Sequence, residues 1–141
     1  LNGRPYAMDD VQKRERIPVN TVQLIEIFHD HGGMGGMGGM GGGMGGGGMG
    51  MMGMMSMAHP IHLHGQPFEI LGRTMENGDT ESYATFRDGL IDSGLKDTVL
   101  VAPGERVRIA KPFGDFKGLF MYHCHNVEHE DMGMMREFSV E

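Results

Sequence analysis

Two short segments hold six of the eight histidines and carry the side chains best suited to chemistry in this sequence. The first is HPIHLHG at residues 59–65, and the second is HCHNVEH at residues 123–129. The second segment also contains Cys124, the only cysteine of the 141 residues. Thiolate and imidazole groups are ligands for transition metals. The two segments together therefore indicate metal binding.

Side chains alternate between two faces along an extended segment. Cys124 therefore faces one way, and its neighbours His123 and His125 face the other. A short turn or helical loop can return His129 and Met134 to the cysteine's side. The same parity separates the first histidine of HPIHLHG from the other two. Pairing the segments as strands predicts two groups of donors: one is His59, Cys124, His129 and Met134, and the other is His62, His64, His123 and His125.

The two groups differ in the metal chemistry that they favour. A thiolate, two imidazoles and a thioether are typical of a blue-copper electron-transfer site. Zinc is the rival, but it rarely takes a thioether. Four imidazoles without a thiolate suit copper that meets dioxygen, although that group alone is half a site. Because few covalent bonds separate Cys124 from His123 and His125, we expect these three residues to carry electrons between the groups.

The surrounding sequence predicts an all-β domain. Val107 and Ile109 alternate with charged residues, as in a half-buried strand. A polar segment at 8–16 is expected to be a solvated loop, and the only helix expected is short, near 125–132. Many short strands with regular turn signals favour an antiparallel Greek-key β-sandwich. The expected strands cover residues 1–8, 17–28, 60–71, 97–101, 106–110, 118–123 and 136–140.

Residues 32–57 are a low-complexity tract of fifteen Gly, ten Met and one Ser. Glycine has the most backbone entropy to lose, so we expect a long flexible loop inserted into a single domain over 1–141. The tract is either a plain linker or a collector of Cu(I), because thioethers select that ion. The candidate Cu(I) ligands are Met34, Met37, Met40 and Met44.

Some further polar residues have two interpretations each. His29 and His31 are expected to form a solvated or weakly metal-binding loop end, or else to complete the group of four imidazoles described above. Asp92 and Asp97 are expected to be structural, or else to orient a ligating imidazole. An acidic loop remains after the second segment. Glu128, Glu130 and Asp131 are expected to be solvated there, or else to form a surface through which substrate electrons arrive.

Composition excludes several classes of protein. Twelve Lys+Arg against nineteen Asp+Glu give a net charge of −7, which argues against nucleic acid or an anionic membrane surface as the main partner. One cysteine excludes an internal disulfide framework. No apolar run approaches the roughly 20 residues of a membrane span. Because the chain begins at Leu1 with no signal segment, we expect a fragment or processed chain.

The two segments resemble the copper motifs of the C-terminal cupredoxin domain of multicopper oxidases, the laccase-like family. The similarity extends from HPIHLHG to HCHNVEHEDMGMM at residues 123–135. LNGRPY at residues 1–6 and KDTV at residues 96–99 resemble two further strands of that domain. The Met-rich bacterial members, periplasmic cuprous oxidases of copper tolerance, are the most similar group. The resemblance covers nearly the whole chain except the tract at 32–57.

This resemblance implies specific ligands and a reaction. A reducing substrate, such as Cu(I) or a phenol, would donate electrons to a type 1 copper, and a trinuclear cluster would reduce dioxygen to water. An N-terminal cupredoxin domain, in the same protein or another chain, would supply the missing imidazoles. A periplasmic or extracellular location is implied. The implied ligands are His59, Cys124, His129 and Met134 for type 1, His62 for type 2, and His64, His123 and His125 for type 3 copper.

Two other functions and a structural interpretation stay open on the sequence. The chain could be a standalone blue-copper electron carrier with one copper. It could also sequester Cu(I) through its methionines. The structural interpretation makes Cys124 a small buried hydrophobic residue beside histidines that serve only packing. Copper stoichiometry and visible absorption distinguish these functions.

Overall fold

The computed structural model describes residues 1–30, 57–77 and 80–141. Within these ranges the chain forms eight strands, two short α-helices and one 3₁₀ turn at Lys13–Glu15. The helices are α1 (Thr80–Asp88) and α2 (Val127–Asp131). The strands are β1 (Arg16–Ile17), β2 (Thr21–Phe28), β3 (His59–Leu63), β4 (Glu69–Met75), β5 (Thr98–Val101), β6 (Glu105–Phe113), β7 (Gly118–Cys124) and β8 (Met135–Val140).

The strands form two sheets that pack as a β-sandwich. One sheet has the order β1-β8-β7-β3-β5, and the other has the order β2-β6-β4. Every pairing is antiparallel except that of the two-residue strand β1, which runs parallel to β8. The predicted all-β sandwich is thereby confirmed. Strands β3 and β7, which carry His59, His62, His123 and Cys124, are neighbours inside the larger sheet.

The main hydrophobic core lies between the sheets and includes the cysteine. On β6, Val107 and Ile109 are fully buried and Arg108 is exposed, as their alternation predicts. Ile61 of β3 is buried and is the cross-strand partner of Cys124. Apolar neighbours therefore exclude water from the thiol. The buried members of this core are Ile61, Leu63, Phe68, Val99, Val101, Val107, Ile109 and Cys124.

Four local expectations about strands and helices were wrong. The expected strand 17–28 is interrupted at residues 18–20, where Asn20 adopts a φ of 59°, so β1 and β2 lie in different sheets. Residues 1–8 form no strand, because Asn2 and Gly3 adopt φ values of 54° and 71°, which break an extended conformation. The expected strand 60–71 is two strands in different sheets, because the chain turns at Gly65, where φ is 92°. Helix α1 was missed because it buries none of its residues and so carries no apolar stripe.

The segment 8–16, expected to be solvated, contributes a buried ion pair. Arg136 of β8 is fully buried, and its Nη2 lies 2.7 Å from Glu15 Oε2. Tyr122 of β7 donates its hydroxyl to Glu15 Oε1 at 2.7 Å. Arg136 also donates to the backbone oxygen of Asp10 at 2.6 Å. This network attaches the N-terminal segment to the strand that ends at the cysteine.

The network makes the fold sensitive to acid. Burial alone raises the pKa of Glu15, but hydrogen bonds from Arg136 and Tyr122 outweigh that effect and lower the pKa to about 2. This value lies below the ordinary 4.5, so the carboxylate stabilises the fold fully above that pH. The stabilisation is lost as the pH falls from 4.5 toward 2.

We predict that Glu15→Gln lowers the free energy of unfolding by about 3 kcal/mol at pH 7, because the buried charge of Arg136 then keeps only the more exposed carboxylate of Asp10, 3.1 Å away, as its partner. In this variant, the free energy of unfolding also loses the part of its pH dependence that Glu15 contributes. Urea denaturation between pH 7 and pH 2 measures both effects. Glu141→Gln is the control, since its pair with Arg16 is exposed and contributes less than about 1 kcal/mol. Equal losses in the two variants would contradict the assignment.

Candidate metal centre

Three buried side chains converge at one end of the core. Cys124 ends β7, His59 begins β3, and His129 lies in α2. The Cys124 Sγ lies 3.5 Å from His59 Nδ1 and 3.4 Å from His129 Nδ1. The two Nδ1 atoms are 3.1 Å apart. These residues, called here the thiol group, are 0%, 7% and 3% exposed, so their donor atoms face an enclosed point.

A single helical turn explains why His129 returns to the cysteine. The Asn126 side chain accepts a hydrogen bond from Glu128 N and caps α2 immediately after β7. The chain then turns back, and Met134 N donates to His129 O at 2.9 Å. Cys124 N donates to Met134 O at 3.0 Å. Met134 packs against the core cluster that contains Cys124.

The electrostatics of the thiol group favour uncharged ligands in the absence of metal. Burial, together with the neighbouring rings of His29 and His129, lowers the pKa of His59 to about 4. His59 is therefore neutral at pH 7. Burial also raises the pKa of the Cys124 thiol. A bound cation would reverse this effect by stabilising the thiolate.

Four imidazoles form a second cluster, called here the imidazole group. The rings of His62 and His64 have centroids 5.0 Å apart. His64 Nε2 lies 3.2 Å from His123 Nε2. The His125 ring lies 5.4 Å from that of His123 and 5.6 Å from that of His62. One ligand atom from each of His62, His64 and His123 lies within 4.8 Å of the other two.

The register of β3 and β7 places the two groups back to back. Ile61 pairs with Cys124, and His62 pairs with His123. Consecutive residues of each strand therefore contribute to opposite faces. His125 N donates to the backbone oxygen of Pro60 at 2.6 Å, which continues the pairing beyond β7. The backbone of 123–125 thus joins the thiol group to the imidazole group.

Comparison with known proteins gives the family. Residues 49–141 match the model of the multicopper oxidases. This chain belongs to the multicopper oxidase family. A laccase of Haloferax volcanii is 46% identical over 83 residues, which are 59% of this chain and 13% of that protein. A bilirubin oxidase of Albifimbria verrucaria is 30% identical over 142 aligned positions, covering 99% of this chain and 19% of that protein.

Solved structures of multicopper oxidases have the same fold. The enzyme from Pediococcus acidilactici superimposes with a TM-score of 0.64 at 29% identity, over 99% of this chain and 23% of that one. A metallo-oxidase from Campylobacter jejuni gives 0.64 at 27% identity, over 99% and 22%. The fold is cupredoxin-like, and copper is the metal of the family. The chain spans 13% to 19% of the two curated relatives named above.

Glu130 lies beside the imidazole group, a position in this multicopper oxidase chain that the sequence analysis did not predict. Its Oε2 lies 3.3 Å from His123 Nδ1 and 3.9 Å from His125 Nδ1. The expectation of a solvated loop was therefore wrong for this carboxylate, which lies in α2, whereas a surface through which substrate electrons arrive stays a prediction. The short helix expected near 125–132 is confirmed as α2, but its first residue, which decides the direction of each side chain, was not predicted.

His29 does not complete the imidazole group, which was one of its two interpretations. It is half-buried, and its ring packs edge-on against His59 with centroids 4.6 Å apart. It therefore lies beside the thiol group rather than the imidazole group. His31 and the four candidate methionines of the tract lie outside the described residues.

The two aspartates have separate places. Asp92 pairs with Arg73 at 3.0 Å and with Arg87 at 3.2 Å, which is the structural role expected of it. Asp97 lies 3.8 Å from His62 Nδ1, at the border of the imidazole group.

Among the helices that the structure describes, neither is long and apolar enough to cross a membrane.

We predict that iodoacetamide alkylates Cys124 in the folded, metal-free chain at least about tenfold more slowly than in urea, because modification requires local opening of the core. Mass spectrometry at timed intervals at neutral pH measures the two rates. The control is Ser93→Cys in a Cys124→Ser background, since Ser93 is exposed. Equal rates for the two cysteines in the folded state would contradict the burial of Cys124.

Proposed function

We propose that this chain is the C-terminal cupredoxin domain of a multicopper oxidase and holds copper through both groups. The observation that carries the proposal is the back-to-back arrangement on β7. A buried thiol with two imidazoles faces one side, and its sequence neighbours His123 and His125 join a four-imidazole group on the other side. A structural metal site would not need the second group.

The donor chemistry of the thiol group fits copper. Cys124, His59 and His129 offer one soft sulfur and two nitrogens, and Met134, which packs against the core cluster of Cys124, is proposed as a weak fourth ligand. Structural zinc sites favour closed tetrahedral sets of cysteine and histidine without a thioether. A neutral His59 binds a cation without first losing a proton. The surrounding apolar core keeps water out.

The donor chemistry of the imidazole group fits the other coppers of the family. His62 is proposed for type 2 copper, and His64, His123 and His125 for type 3 copper. Glu130 and the backbone oxygen of Cys124 both face His123 Nδ1, so the proton belongs on that atom and Nε2 is left for a metal. An N-terminal cupredoxin domain, from the same protein or another chain, would complete this group.

The residues of this chain then have distinct tasks in the oxidase. When bound, copper supplies one-electron steps that add up to the reduction of dioxygen to water. Cys124 gives a short bonded path to the rings of His123 and His125 through a single strand. The pairing of β7 with β3 and β8 keeps this path rigid. The electron donor is proposed to be Cu(I), a phenol or a similar small reductant, in a periplasmic or extracellular compartment.

We predict that Cu(II) added to the anaerobic, reduced chain produces the intense visible absorption of a copper-thiolate bond. Cys124→Ser abolishes this band because it removes the sulfur, whereas His64→Ala retains it because His64 belongs to the other group. Absorption, electron paramagnetic resonance and copper content per chain are the measurements. A chain that takes zinc in preference and shows no band with copper would contradict the proposal.

Copper titration together with oxygen-uptake measurements distinguishes the other functions. One copper with the band, and no oxygen uptake once a complementary N-terminal domain is added, would identify an electron carrier. Many weakly held Cu(I) ions without the band would identify a sequestering protein. Oxygen uptake with a reductant and more than one copper per chain supports the oxidase.

The methionines of 32–57 are proposed to collect Cu(I) as a substrate, with Met34, Met37, Met40 and Met44 among the ligands. We predict that changing the ten methionines of this tract to serine, at unchanged length, lowers kcat/KM for Cu(I) oxidation by about tenfold, equivalent to about 1.4 kcal/mol of binding. Phenol oxidation by the same full-length variant is the internal control. Equal loss, or no loss, in both reactions would count against this role.

A further inference from the structure

A threonine and an aspartate lie behind the ring of His62. Thr98 opens β5 and is the direct cross-strand partner of His62. Its Oγ1 lies 3.0 Å from His62 Nδ1. The same hydroxyl donates to Asp97 Oδ1 at 2.9 Å. Asp97 also fixes the strand, because its backbone oxygen accepts from Leu63 N at 3.1 Å.

The chemistry of these groups determines which nitrogen of His62 carries the proton. An ionised carboxylate only accepts hydrogen bonds, and a hydroxyl has a single hydrogen to donate. Thr98 donates that hydrogen to Asp97, so its oxygen faces His62 as an acceptor. The proton of the imidazole therefore resides on Nδ1. The lone pair is left on Nε2, the atom available to the imidazole group.

We propose that Thr98 and Asp97 are positioning residues that select the Nδ1–H tautomer of His62 and so assign Nε2 as its metal-binding atom. Without the carboxylate, the hydroxyl is free to rotate and donate to Nδ1, which would select the opposite tautomer. Without the hydroxyl, residue 98 offers no acceptor for a proton on His62 Nδ1. The tautomer stands on this geometry alone, whereas its use in metal binding rests on the proposed function.

The first test uses the metal-free chain, in which the tautomer is read directly from long-range ¹H–¹⁵N correlations of the His62 ring. Wild type and Thr98→Ser are expected to show the Nδ1–H form, because both keep the hydroxyl. Thr98→Val and Asp97→Ala are expected to shift His62 toward the Nε2–H form, because the first removes the hydroxyl and the second removes the acceptor of its hydrogen. A wild-type ring protonated on Nε2, or a Thr98→Val ring identical to wild type, would overturn the inference.

The second test measures Cu(II) binding by the imidazole group, using paramagnetic resonance titrations of the full protein. Thr98→Val is expected to weaken this binding by about 10- to 100-fold, the usual effect of losing a hydrogen bond to a metal-bound histidine. The visible band of the thiol group should not change. Thr98→Ser should restore the affinity, and Thr74→Val, an exposed threonine of β4 in the other sheet, should have no effect.

The two tests separate this inference from the proposed function. If neither group binds copper, the proposed function fails, while the tautomer measurement still decides the role of Thr98. If copper binds normally to Thr98→Val and its His62 tautomer has changed, the role of Thr98 in metal binding is refuted. If Thr98→Ser behaves as Thr98→Val does, the hydroxyl is not responsible, and the positioning role is refuted.

Discussion

The strict alternation of side chains along β7 is the constraint on which the site depends. Cys124 enters the apolar core, so its neighbours on the strand must leave on the opposite face. A one-residue shift of β7 against β3 would exchange the two faces and bury imidazoles where the thiol now lies. The register in which Ile61 faces Cys124 is therefore as important to the site as the donor atoms themselves.

Several interactions of residues other than the donors support that register. Tyr122, two residues before the cysteine, hydrogen-bonds to Glu15, and Glu15 pairs with the buried Arg136 on the adjacent strand. Glu15 is the buried charged residue of the segment 8–16, and it binds both β7 and the neighbouring strand β8. On the other side, the backbone of Asp97 holds the end of β3. The charged groups thus support a core that is otherwise small.

The sequence predicted the sandwich and the division of the donors because both follow from parity along strands. Val107 and Ile109 show the same alternation that separates Cys124 from His123. The sequence could not predict that Glu130 contacts His123, because that contact depends on the residue at which α2 begins. Nor could it predict helix α1, which buries none of its residues. The ligand roles of individual histidines and the extent of the domain stay predictions.

The donors of the thiol group come from parts of the chain that are distant in sequence. Cys124 and His129 are 5 residues apart, whereas Cys124 and His59 are separated by 65. The segment 123–129 therefore supplies two of the three donors locally, and the third joins them only when β3 pairs with β7. Long-range pairing of this kind forms late. The complete thiol group consequently exists only in the folded domain, so its three donors lie together only once β3 and β7 have paired.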